Sequence, residues 1–217
     1  MNNTVELIGT YGDDELIACS AWTSTSRELT DEKRARIPEL LKKLWTDGHE
    51  TPFEKGIVHF LVNCDIASHI HLLKHRISSL NAESARYKEL KEDKYYIPKD
   101  FYDCEISKRN IRDLGYNTWG DCLKATSENN NYLYHECLKD MEQQFGRRRA
   151  KETARYFKLY NSQIQSDVSF NLRSFANFLN LRFSEHAQGE IREIAEKMLK
   201  LVRQTCKFEH TLKAWGY

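Results

Sequence analysis

Two stretches constrain the fold most, because each alternates in hydropathy like a strand and then runs on into a helical pattern. In Ile57 to Asp65, Val58, Phe60 and Val62 alternate with Ile57, His59 and Leu61, as in a strand covered on much of both faces. Ala67 to His75 then takes up helical spacing. In the second, Gln163 to Phe170 alternates, and Asn171 to Leu181 follows as the clearest amphipathic helix of the chain. Leu172, Phe175, Ala176 and Leu179 form its apolar stripe, while Arg173, Asn177 and Asn180 line another face. Strands that feed helices in this way set the class as α/β.

The remaining pattern fits that class. Val5 to Gly9 reads as an opening strand, Asp13 to Ala21 as a helix, and the Ser/Thr-rich stretch after it as a loop. Pro38 suits the first turn of a helix whose Ile37, Leu40, Leu41, Leu44 and Trp45 keep helical spacing until Gly48. Tyr95 to Pro98 reads as a short edge strand closed by proline. Thr118 to Phe145 predicts a long helix with Tyr134, Cys137, Leu138, Met141 and Phe145 on one stripe. Gly146 breaks it and Arg147 to Tyr156 restarts. A last helix carries Ile191, Ile194, Ala195, Met198 and Val202. With no repeat, low-complexity tract or linker, residues 1–217 are expected to form a single domain.

Charge and cysteine usage narrow the function classes. The 33 Lys and Arg against 32 Asp and Glu leave no global field to draw the chain onto DNA or an acidic membrane. A run of about eighteen apolar residues, as a spanning helix needs, is missing. The first residues, MNNTVELIG, lack the basic-then-apolar order of a secretory leader. The six cysteines include no C-x-x-C pair, which predicts reduced thiols and a cytoplasmic protein. None sits in an electropositive setting suited to a nucleophile.

The chemistry concentrates in Lys74 to Tyr87, KHRISSLNAESARY. Guanidinium and ammonium groups close to serine hydroxyls make a phosphate site, and a solvated charged loop is the other reading of the same composition. The Arg173, Asn177, Asn180 stripe also has two readings. It is either a solvent-facing helix side or a row of amides for the edge of a heterocycle, and asparagine is a poor helix former. Two rivals belong to other classes. His69, His71 and His75, with His49 and His59, suggest a metal site, but Leu72 stands where a zinc helix would carry its glutamate, so no metal is expected. Arg147, Arg148, Arg149, Lys151 and Arg155 suggest a nucleic-acid module, against which stands the near-zero net charge.

Four segments together resemble the flavin-dependent thymidylate synthases, the ThyX family. Lys74-His75-Arg76, then Ile77 to Glu83, then Ser84 is similar to the signature R-H-R-x7-S, with lysine in place of the first arginine. FNLRSFANFLNLR, followed by Glu185-His186-Ala187-Gln188, is a denser match. His49 to Glu54 resembles the family's HETPFEH, with Lys55 for the closing histidine, and Tyr95-Tyr96-Ile97-Pro98 is the fourth segment. They appear in family order over nearly the whole chain.

The resemblance implies a single α/β (α+β) domain with a mainly antiparallel sheet packed by long helices. It implies reductive methylation of dUMP to dTMP, with 5,10-methylenetetrahydrofolate as carbon donor and FAD, reduced by NADPH, as hydride source. By position, Thr51, Lys74, His75, Arg76, Ala82, Asn171, Leu172, Arg173 and Asn177 are expected at FAD. His71, Leu72, Leu73, Lys74, Ala82, Glu83, Ser84, Ala85, Arg86, Arg155 and Arg182 are expected at dUMP. Ser84 and Arg86 take the phosphate, and Arg182 is the catalytic residue at the uracil ring. Family sites draw on several subunits, which implies a homotetramer, with neither nucleic acid nor membrane as a partner. Departures at His71, Lys74 and Ala82, where relatives often have glutamine, arginine and glutamate, leave a flavin-dependent hydroxymethylase as the alternative. Lysine at position 74 keeps the charge but loses the planar fork of arginine.

Overall fold

Strand β1 (Thr4–Tyr11) ends at Gly12, whose φ of 82° turns the chain into helix α1 (Asp14–Ala21). The Asp13 carboxylate caps that helix by accepting the Leu16 N–H at 2.7 Å. Helices α2 (Asp31–Ala35) and α3 (Ile37–Thr46) follow, and a 3-10 turn at Thr51–Lys55 leads into β2 (Ile57–Asp65). Strand β2 passes directly into α4 (Ile66–Leu73), after which come β3 (Ser79–Ala82), α5 (Lys99–Asp103) and α6 (Arg109–Arg112). The long helix α7 (Trp119–Phe145) starts at a capping box formed by Thr118 and Asp121 and is followed by α8 (Arg147–Ala154). Strand β4 (Gln163–Asn171) runs straight into α9 (Leu172–Arg182), and α10 (Gly189–Gln204) and α11 (Glu209–Ala214) close the chain. This computed structural model describes residues 1–217, the side chain of residue 110 excepted. The strands make one four-stranded antiparallel sheet in the order β1-β2-β4-β3, the mixed helix–sheet class expected from the sequence.

The chain divides into two compact units. One comprises Thr4–Val62, Leu72–Asn81 and Asp167–Tyr217. Its core includes Val58, Phe60 and Val62 of β2 and the α9 stripe Leu172, Phe175, Ala176, Phe178 and Leu179, all buried. The apolar face of α10 is likewise buried from Ile191 to Val202. Backbone passes close to side chain at Gly56, whose carbonyl accepts the Leu172 N–H at 2.9 Å. A Cβ on Gly56 would stand 2.5 Å from Leu172 Cδ1, so only glycine lets β4 hand over to α9 at that distance.

In the same unit the buried Asp14 carboxylate holds the start of α11. It accepts the His210 N–H at 2.7 Å, the Thr211 N–H at 3.0 Å and the Thr211 hydroxyl at 2.6 Å. Asp14→Ala would strand these donors, and we expect a loss of about 2–4 kcal/mol. Urea denaturation checks this: the midpoint should fall with an unchanged slope, and an unmoved midpoint would contradict the assignment.

The other unit comprises Met1–Asn3, Asn63–His71 and Ala82–Ser166. Tyr134 and Leu138 of α7 pack with Ala150 and Ala154 of α8, flanked by Leu90, Cys137, Met141 and Phe157. The Lys158 side chain is buried. Its Nζ donates to Asp93 at 3.0 Å and Asn131 at 2.7 Å and lies 4.3 Å from the Tyr134 ring centroid. Burial pulls its pKa below the usual lysine range, against the opposing Asp93 contact.

Several expectations need correction. The helix after β2 ends at Leu73, so Lys74, His75 and Arg76 belong to the turn beyond it. Tyr95 to Pro98 makes only an isolated antiparallel bridge, Tyr95 to Ser162, because proline cannot extend a ladder. Ser79–Ala82 pairs as a strand although its composition gives no strand signal. Phe145, at the end of the α7 stripe that holds Tyr134 and Leu138, is 59% exposed. Among the described residues the six cysteines are free thiols. Cys64 is pushed up to about 12 by burial and by the neighbouring Asp65, which removes it as a nucleophile. No helix among these residues is long and apolar enough to cross a membrane.

Candidate active site

A cleft of about 610 Å³ opens in the unit that holds α9. Helix α9 supplies Arg173, Asn177, Asn180 and Arg182 to its wall, so the polar stripe faces a cavity. Lys74, His75, Arg76 and Ile77 line it from the turn after α4. Glu50 and Glu54 come from the 3-10 turn and its flank, and Trp45 from α3. Lys74, Arg76, Arg173 and Arg182 outweigh Glu50 and Glu54, so the cleft favours anions.

Arg173 is oriented by carboxylates. Its Nε donates to Glu50 Oε2 at 2.8 Å and its Nη1 to Glu54 Oε1 at 2.7 Å. Those hydrogen bonds, Glu54 foremost, raise its pKa further and hold the guanidinium charged. Arg182, in the last turn of α9, donates from Nε to His75 Nε2 at 3.0 Å. His75 is buried and meets Phe178 edge-on at 4.9 Å. Asn171 caps α9, its side-chain oxygen accepting the Ser174 N–H at 2.8 Å. Leu172 and Leu72 are fully buried, Leu73 is half-exposed, and Thr51 is exposed at the start of the 3-10 turn.

The cleft therefore gathers Lys74, His75, Arg76, Arg173, Asn177 and Arg182 from the expected residues. It also recruits Trp45, Glu50, Glu54 and Ile77, to which the sequence assigned no ligand role. Glu50 and Glu54 stand one helical repeat apart in HETPFEK, a spacing that can chelate one guanidinium and is the signal that was present.

His71, Ala82, Glu83, Ser84, Ala85, Arg86 and Arg155 belong to the other unit. There Glu83 is pinned to β4: its N–H donates to the Gln165 carbonyl at 2.9 Å, and the Gln165 N–H to Glu83 Oε2 at 3.1 Å. The Ser84 carbonyl accepts the N–H groups of Tyr87 at 3.0 Å and Lys88 at 2.9 Å, closing a tight turn. Arg86 donates to Glu152 at 3.2–3.3 Å and joins Arg147, Arg148 and Lys151 around a second cavity of about 410 Å³. Arg147, Arg148 and Arg149 are exposed and paired with glutamates, as a solvated helix start would be. Arg155 is exposed beyond the end of α8.

The cleft suits a phosphorylated ligand that carries a flat heterocycle. Cations meet the phosphates, the Asn177 and Asn180 amides meet a ring edge, and Trp45, Ile77 and Leu181 offer apolar surface. Residues 6–206 match the family described as Thymidylate synthase complementing protein, and the chain belongs to it. It is 32% identical over 206 residues to a flavin-dependent thymidylate synthase of Pseudothermotoga lettingae, covering 95% of this chain and 87% of that protein. It is 31% identical over 216 residues to another from Thermosipho africanus, covering 96% and 90%. Among solved structures, the UMP/dUMP methylase PolB of Streptomyces cacaoi, bound with 5-Br dUMP, superposes with a TM-score of 0.78 at 25% identity, covering 99% of this chain and 95% of that one.

A flavin nucleotide is a ligand of this kind, and the curated relatives are named flavin-dependent. Arg173→Ala should weaken flavin binding by roughly tenfold or more, since it removes a charge-assisted donor and leaves Glu50 and Glu54 without their guanidinium at the cleft. Titration by flavin fluorescence reads this directly. Unchanged affinity would remove Arg173 from the site.

Proposed function

We propose that the chain, acting as one domain over residues 1–217, methylates dUMP reductively to dTMP, with 5,10-methylenetetrahydrofolate as carbon donor and NADPH as the source of electrons. The observation that carries this reading is the convergence of Lys74, His75 and Arg76 with Arg173, Asn177 and Arg182 on one anion-selective cleft. FAD, when bound, supplies the hydride chemistry that amino-acid side chains lack. Lys74, Arg76 and Arg173 would hold its phosphates, and Asn177 its ring edge, with Thr51, His75, Ala82, Asn171 and Leu172 around them. For dUMP, Ser84 and Arg86 take the phosphate with Arg155. The segments His71–Lys74 and Ala82–Ala85 shape the remaining surface. Arg182 meets the uracil ring.

The residues of the chain bind, orient and stabilise charge. As carbon bonds to C5, negative charge grows toward O4 and N3, and a fixed guanidinium there stabilises the transition state more than the ground state. Ser84 acts as a ligand and not as a nucleophile, because a serine hydroxyl without an adjacent base attacks poorly.

In this reading a homotetramer in the cytoplasm completes the site by sharing residues between subunits. Light scattering should return four chains per particle; a monomer with full turnover would contradict it. Mass spectrometry of the nucleotide product tests the reaction. We expect dTMP, and a hydroxymethyl nucleotide would replace the reductive reading with hydroxymethylation.

A further inference from the structure

We propose that His75 is a positioning residue for Arg182: a neutral imidazole whose Nε2 accepts the Arg182 Nε–H and aims the terminal N–H groups of the guanidinium into the cleft. The inference rests on the reading that Arg182 serves the uracil ring. It begins from the 3.0 Å contact between Arg182 Nε and His75 Nε2. Arginine has donors only, so the ring nitrogen must be the acceptor. The imidazole is therefore uncharged, with its proton on Nδ1.

The ring is well placed for such a role. His75 is 8% exposed, and its interplanar angle to Phe178 is 75° at 4.9 Å. Phe178 and Arg182 stand one helical repeat apart on α9, so one helix face wedges the ring and bonds to it. The backbone is fixed as well: the His75 N–H donates to the Leu72 carbonyl at 3.1 Å, and the His75 carbonyl accepts the Ser78 hydroxyl at 2.6 Å. Arginine has several rotatable bonds, and tethering Nε removes most of that freedom before substrate arrives. A protonated ring would lose the acceptor and set a second cation against Arg182, beside Lys74, Arg76 and Arg173. Glu50 and Glu54, the carboxylates of the cleft, are engaged by Arg173.

A double-mutant cycle tests the proposal, with each protein loaded with FAD and its flavin content measured. His75→Leu removes the acceptor and should lower kcat by roughly tenfold, the size of one lost positioning hydrogen bond. His75→Gln, whose side-chain oxygen reaches the same place, should recover most of that loss. In an Arg182→Ala background, His75→Leu should change kcat by less than about twofold, since groups acting as a unit are non-additive. Full additivity would overturn the proposal. Nitrogen-15 spectra of labelled histidine give a readout apart from activity. The wild-type protein should show the Nδ1–H tautomer at His75, and a proton on Nε2 would overturn the proposal even if His75→Leu fails to fold. Should Arg182→Ala keep full turnover while the tautomer is found as expected, the uracil role of Arg182 fails and the positioning role falls with it.

Discussion

Replacing Arg182 by alanine is expected to lower turnover by roughly 10²-fold or more while NADPH still reduces the bound flavin. The two outcomes separate because they depend on different parts of the cleft. Lys74, Arg76 and Arg173 remain to hold a phosphorylated cofactor, and Arg173 keeps its two carboxylate partners. Under the proposed reaction, the variant loses the donor aimed at charge that appears only as the methylene carbon bonds to C5. A C-terminal arginine also favours its helix by about 0.3–1 kcal/mol through the dipole, too little to account for such a fall. Stopped-flow reduction by NADPH and steady-state dTMP formation check the two halves. Equal losses in both would return Arg182 to a cofactor-binding or structural role.

Phe178→Ala is expected to cost about 3–5 kcal/mol of stability, the range for truncating a buried aromatic ring. Phe178 is fully buried, with its centroid 5.3 Å from Phe170 and 6.3 Å from Phe175. Removing the ring leaves a cavity inside this cluster and takes the wedge from His75 at the same time. Calorimetry should show a lower melting temperature, and protein that stays folded should turn over more slowly than its flavin content predicts. An unchanged melting temperature would mean that this cluster does not anchor α9.

The repeating parts of the fold were legible because periodicity reports burial. The α9 stripe Leu172, Phe175, Ala176, Leu179 is buried as its spacing requires, and the opposite row faces the cleft. Phe178 widens that buried stripe, as it must when sheet and loop pack on adjacent sides of one helix. Long-range pairing was not legible. Arg173 finds Glu54 and Glu50 across 119 and 123 residues, and although the spacing of the two carboxylates shows in the sequence, the arginine they meet does not. Trp45 keeps the spacing of a core residue on α3 and packs on Phe53 and Trp215, yet it also borders the cleft, a choice made by neighbours and not by period. Strand β3 follows the same rule: Ser79, Leu80, Asn81 and Ala82 have little strand preference, and the ladder beside them imposes the conformation.

The most direct test of the central claim is the flavin absorbance of the purified protein. The account predicts a yellow protein whose flavin band bleaches with NADPH under anaerobic conditions and returns only when methylenetetrahydrofolate and dUMP are both supplied, with dTMP formed in step. A protein that binds no flavin, or a band that never responds to dUMP and the folate together, would contradict it.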